Sequence, residues 1–212
     1  MYDAITRGDD RTALMLIHRG AEVNTETTFY IDAPEGSPLW RAVRQANLTV
    51  VDALIEAGAD VNADKVMWEA VRSENEWVLR HLILAGADVH ITRTYHGGLD
   101  GDVEYVRTLL LEAIEEHADY WENRNIRVLI EAGATLGDPD RVDVGRAYKH
   151  AMADPDLIKL LVEHGFSPST LGRDGLSPLH YAVMHGHYSV VGRSSCLGEM
   201  LLADDLDVDG CD

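Results

Sequence analysis

A pair of aliphatic residues followed within a few positions by a glycine returns five times along the chain, and this pattern sets the frame for the rest of the sequence. The copies read Leu16-Ile17-His18-Arg19-Gly20-Ala21-Glu22-Val23-Asn24, Leu54-Ile55-Glu56-Ala57-Gly58-Ala59-Asp60-Val61-Asn62, Ile83-Leu84-Ala85-Gly86-Ala87-Asp88-Val89-His90, Leu129-Ile130-Glu131-Ala132-Gly133-Ala134-Thr135-Leu136 and Leu161-Val162-Glu163-His164-Gly165-Phe166-Ser167-Pro168. The aliphatics suit the buried face of a helix's last turn. The glycine suits the left-handed residue that closes the helix. Each copy therefore predicts a helix end, then an extended stretch whose valine turns inward while its Asp and Asn cap backbone groups.

A second phrase precedes the first and predicts the opening helix of a pair: Pro38-Leu39-Trp40-Arg41-Ala42-Val43-Arg44, Met67-Trp68-Glu69-Ala70-Val71-Arg72 and Ser177-Pro178-Leu179-His180-Tyr181-Ala182-Val183-Met184. Proline fits the first helical turn, where its missing donor would have no partner, and alanine lets helices approach closely. Ala42 to Gly58 and Ala70 to Gly86 each span 16 positions, so these two helix pairs have one length. Asp154-Pro155-Asp156 predicts a further helix start, with Asp154 as cap.

These residues resemble ankyrin repeats, whose consensus runs Asp-x-x-Gly-x-Thr-Pro-Leu-His-x-Ala-Ala, then Gly-His, Val-Val, Leu-Leu and Gly-Ala-Asp-Val-Asn. The segment from Arg173 to Val191 follows it almost without a break. The resemblance implies an all-α solenoid of about five to six irregular repeats with short hairpin or loop connections. It implies a single domain over 1–212, with units at about 1–36, 37–64, 65–98, 99–138, 139–172 and 173–212, the last irregular. It also implies a concave groove lined by variable positions of the first helices: Arg44, Gln45, Arg72, Ser73, Met184 and His185.

The turn glycines stand 38, 28, 47 and 32 residues apart, against a family period of about 33. Such insertions usually fall in loops on one face, often the binding face. Thr25 to Ser37 carries Phe29-Tyr30-Ile31, an apolar cluster expected either to pack back on its neighbour or to touch a partner. Ala63 to Val66 is too short for a hairpin finger and predicts a bare turn. Gly97 to Asp102 leads into Val103–His117, which reads as one unusually long helix. The second helix of that repeat is expected from about Glu122 to Ala132. Trp121, beside Tyr120, is the tryptophan singled out as a possible contact, with burial as the competing reading. Trp40 and Trp68 occupy the register of His180, which predicts aromatic packing between repeats.

Composition narrows the functional classes. With 37 acids against 18 bases the net charge is −19, which repels phosphate backbones at long range and disfavours nucleic acid. Only Lys65, Lys149 and Lys159 are lysines; compositional drift and adaptation to high salt both fit such a balance. No apolar run approaches the roughly 18 residues of a membrane span. The start, Met1-Tyr2-Asp3-Ala4, has no basic region leading into an apolar one, so a cytoplasmic, or in a eukaryote nuclear, setting is expected. Cys196 and Cys211 read as free thiols.

No glycine-flanked serine elbow, phosphate-cradling loop or His-Glu-x-x-His helix occurs, so the sequence predicts neither an enzyme nor a cofactor. Asp205 to Gly210 matches half of a calcium loop, but reads more simply as a degraded repeat end. His180, His185 and His187 with Cys196 invite a zinc reading. The resemblance gives His180 a hydrogen bond in the turn before its helix and places His187 at the start of the next. The expected function is protein–protein binding by a monomer through its groove and loop tips, with Arg44 and Arg72 gripping an acidic partner. The alternatives are an acidic mimic engaging a basic target, or a structural fragment that pairs with itself or a larger assembly.

Overall fold

The computed structural model describes residues 1–25, 36–63, 65–73, 75–97, 103–117, 124–137, 147, 150–151, 155–167, 171, 175–177 and 180. The chain divides into two compact units, Met1–Val89 and His90–Asp212.

Among the described residues of the first unit, six helices form three pairs: α1 (Tyr2–Thr6) with α2 (Asp10–His18), α3 (Pro38–Arg44) with α4 (Leu48–Glu56), and α5 (Val66–Arg72) with α6 (Glu76–Leu84). The first helices pack as one row, α1 on α3 on α5, and the second helices as another, α2 on α4 on α6. Between the rows lie Ile5, Ile17, Leu39, Val43, Val51, Leu54, Met67, Val71, Leu79 and Leu82, all buried. Burial of each large aliphatic contributes roughly 1.5–3 kcal/mol, so no repeat is stable without its neighbours' faces.

Local chemistry sets the helix boundaries. Asp9, Asn47 and Asn75 cap the second helices, accepting from the backbone N–H of Thr12, Val50 and Trp77 at 3.1, 3.2 and 3.1 Å. Hydrogen bonding from the Thr12 side chain, and then from its backbone N–H, also holds the Asp9 carboxyl below its ordinary pKa. At the other end Gly20, Gly58 and Gly86 take φ of 78°, 85° and 92°. The next residue's N–H then reaches back to the carbonyl five positions earlier, as in Ala21 to Leu16, Ala59 to Leu54 and Ala87 to Leu82, at 2.9–3.0 Å. The end of α3 follows the same logic less comfortably. Ala46 stands at φ 51° after α3, a conformation that costs an L-residue roughly 1–2 kcal/mol.

The stretch after each glycine ties repeats together. Val23, Val61 and Val89 are buried, as the pattern predicts. Asn24 grips the next repeat twice, donating from Nδ2 to the Gly58 carbonyl at 3.0 Å and accepting from Asp60 N–H at 2.8 Å. Asn62 repeats the second bond, accepting from Asp88 N–H at 2.8 Å. The bare turn before α5 is present: Val66 N–H bonds the Ala63 carbonyl, with Lys65 at φ 74°.

In the second unit, strands β1 (Thr92–Gly97) and β2 (Val103–Thr108) pair antiparallel, from Thr92 opposite Thr108 to Gly97 opposite Val103. Helices α7 (Leu109–His117), α8 (Arg124–Glu131) and α9 (Pro155–Glu163) follow. The hairpin corrects the expected helix over Val103–His117, which begins only at Leu109, and adds a sheet to an otherwise helical solenoid. Val103, Tyr105 and Val106 favour a strand, and Thr108 stops it by accepting from Leu111 N–H at 3.2 Å. Packing of α7 on α8 buries Leu109, Leu110, Ile114, Ile126 and Leu129. Gly133 and Gly165, at φ 86° and 82°, close α8 and α9 as the other turn glycines do, with Ala134 N–H on Leu129 and Phe166 N–H on Leu161.

Candidate functional site

The first-helix row of the Met1–Val89 unit carries the best-defined candidate. Aligning Ala42 with Ala70 sets Arg44 at the end of α3 level with Arg72 at the end of α5, and both are exposed. Ser37 caps α3, accepting from Trp40 N–H at 3.2 Å, and so fixes the turn from which Trp40 enters the interior. Trp40 and Trp68 are both buried, at 4% and 3% exposure. Gly36 backs onto Trp40 so closely that a Cβ there would stand 2.5 Å from the ring.

Arg44 lies over the outer face of Trp40, its guanidinium 5.3 Å from the ring centroid. Its Nε is 3.7 Å from Glu69 Oε1 on α5, an ion contact longer than a hydrogen bond. Among the described residues it meets nothing else, and its side chain remains 46% exposed. Glu69 was not singled out in the sequence, although the same alignment sets it level with Arg41 and one turn from Arg44. Gln45 and Ser73 are already engaged: Gln45 Nε2 donates to the Thr6 carbonyl at 3.2 Å, and Ser73 Oγ to the Ala70 carbonyl at 2.7 Å. Phe29, Tyr30, Trp121, Met184 and His185 lie outside the described residues.

The second-helix row differs. Trp77 and Leu84, seven positions apart on α6 and so on one face, are 56% and 85% exposed. Asp52 on α4 meets His81 Nδ1 on α6 at 2.5 Å, and Asn47 Nδ2 donates to Asp10 Oδ1 at 2.6 Å.

A buried ionic group in the second unit was not anticipated. Arg107 Nη1 meets Glu112 at 2.8 Å and Nη2 meets Glu115 at 2.6 Å, with Glu112 fully buried. Burial opposes the guanidinium's charge, but Glu115 and Glu112 more than offset it, leaving the pKa raised above the ordinary arginine value. Arg107 also lies 5.6 Å from the Tyr95 ring centroid, so one side chain joins both strands to α7.

His180 is bonded within its turn: Ser177 N–H and Oγ lie 3.1 and 2.7 Å from its Nδ1, and its own N–H donates to Ser177 Oγ. That is the structural role expected of it. Among the described residues no group of His, Cys, Asp or Glu is placed to hold a metal. His185, His187, Cys196 and the Asp205–Gly210 segment fall outside them. No helix among the described residues is long and apolar enough to cross a membrane.

Comparison with known proteins agrees with this repeat architecture. Family models for ankyrin repeats match residues 36–63, 147–191 and 174–209. An ankyrin repeat protein of fowlpox virus (strain NVSL) is 46% identical over 35 residues, a match spanning 16% of this chain and a quarter of that protein. Among solved structures, an ankyrin repeat domain from Acinetobacter baumannii AYE superposes with a TM-score of 0.68 at 24% identity, covering 96% of each chain. The ankyrin repeat domain of Bcl-3, described as a unique member of the IkappaB family, gives a TM-score of 0.63 at 22% identity over 87% of this chain and 79% of its own. At these identities the likeness speaks to fold alone. Residues 36–63 and 147–209 match ankyrin repeats, and the fold is that of an ankyrin solenoid. Ankyrin repeats are generally protein–protein interaction modules and typically lack enzymatic activity.

Proposed function

We propose that this protein binds a partner protein through the first-helix row of its Met1–Val89 unit, with Arg44 and Arg72 as the anchoring charges, and that it acts as a non-catalytic cytoplasmic monomer. The observation that carries this reading is the setting of Arg44. A half-exposed side chain rests its guanidinium on a buried tryptophan and, among the described residues, has one ion contact, at 3.7 Å. Arginines that present a planar fork from an aromatic support are favoured interface anchors. Arg72, level with Arg44 on the next first helix, extends the row, and an acidic segment is the complementary occupant. The net charge of −19 supports a second reading, in which the acidic surface engages a basic target; steep loss of association with added salt would favour it.

Charge reversal separates the two. The Arg44→Glu, Arg72→Glu double variant, checked by melting for an intact fold, is expected to lose the partner recovered by the tagged wild-type chain from its native host. Undiminished recovery would reject the first-helix row as the binding surface.

A further inference from the structure

We propose that Glu69 is a built-in competitor at the Arg44 site, and that the occupant it competes with is a carboxylate side chain on the partner. This inference rests on the reading of the first-helix row given above. Arg44 is oriented twice, by the Trp40 ring at 5.3 Å and by Glu69 at 3.7 Å, yet among the described residues it donates no hydrogen bond. The half-exposed guanidinium fork can therefore offer paired N–H donors to an incoming acceptor of matching geometry, and a carboxylate is that acceptor. Lysine could not replace Arg44, because an ammonium neither forks nor stacks.

Glu69 stands on the neighbouring first helix, its position fixed by α5 backbone bonds from Glu69 N–H to Lys65 and from Ser73 N–H to Glu69. Its side chain is only 23% exposed, so it is screened less than a surface acid. A partner carboxylate arriving at the open edge of Arg44 meets this second negative charge a few ångströms away. Whether Glu69 stays or swings off, its charge opposes the incomer. The site thus holds its own weak counter-ion, which selects against isolated acids and admits those backed by further contacts.

The test uses an acetylated, amidated hexaglutamate peptide titrated into the full chain by calorimetry at about 0.15 M salt. There the Debye length of about 8 Å screens the overall charge but not contacts at the site. Glu69→Gln is expected to tighten binding by roughly three- to tenfold over wild type, and adding Arg44→Ala should abolish that gain. Equal affinity for wild type and Glu69→Gln, a gain that survives loss of Arg44, or no binding to Glu69→Gln overturns the proposal. Its failure is distinct from failure of the first-helix reading. If charge reversal abolishes partner recovery while the peptide ignores Glu69, the row still binds but not by this chemistry. If recovery persists while Glu69 governs peptide affinity, the carboxylate site exists but is not where the partner docks.

Discussion

Arg107→Met is expected to destabilise the His90–Asp212 unit by about 3–5 kcal/mol, the cost of leaving buried carboxylates without their cation. Glu112 is fully buried and Glu115 nearly so, and Arg107 contacts both at hydrogen-bond distance. Methionine keeps most of the side-chain volume, so packing loss is a small part of the effect. Urea denaturation followed by far-ultraviolet circular dichroism reads the change. Adding Glu112→Gln to the variant should recover part of the loss, because one of the stranded charges is then gone. A single variant within about 0.5 kcal/mol of wild type would show that the charges are solvated and the ionic group is not a core element.

The second large effect concerns the tryptophans. Trp40→Ala is expected to cost about 3–5 kcal/mol, because the ring is buried against Gly36 on one side and covered by Arg44 on the other. Trp77→Ala, removing a residue that is 56% exposed, should change stability by less than about 0.5 kcal/mol. Thermal melts of the two variants side by side provide the check. Similar losses at both positions would mean that Trp77 is covered in solution and that the assignment of the two helix rows needs revision.

The division between what could and could not be read from the sequence has a physical basis. A helix closed by glycine is a local event: the residue must take positive φ, only glycine does so without cost, and the neighbouring aliphatics mark the buried turn. Gly20, Gly58, Gly86, Gly133 and Gly165 were all legible for that reason, and all five adopt it. The Asp and Asn after the turn glycines that cap backbone groups, the inward valines and the bare turn at Ala63 to Val66 were equally local. Residues Val103 to Thr108 were misread because their apolar positions run on into those of α7, and a short apolar run satisfies helix and strand alike until its pairing partner is known. Pairing with Thr92–Gly97 is the decisive fact, and the sequence shows it only weakly.

The Arg107 group follows from that error. In a continuous helix Arg107 and Glu112 would lie about 140° apart around the axis and could not meet. The change from strand to helix at Thr108 turns the chain so that Arg107 reaches both Glu112 and Glu115. In the candidate site the residue types were legible but their partners were not. Arg44 and Arg72 followed from the family register. Glu69 approaching Arg44 and Gln45 reaching Thr6 depend on the spacing between neighbouring helices, which a repeat pattern does not carry.

Site-specific photo-crosslinking tests the central claim, that the first-helix row is the binding face, most directly. A benzophenone-bearing amino acid is placed at Ser73, beside Arg72, or at Leu84, 85% exposed on α6 of the other row, and irradiated with the native partner present. A covalent adduct from position 73 and none from position 84 is the predicted result. An adduct from position 84 with position 73 silent would contradict it and place the partner on the second-helix face of Trp77 and Leu84.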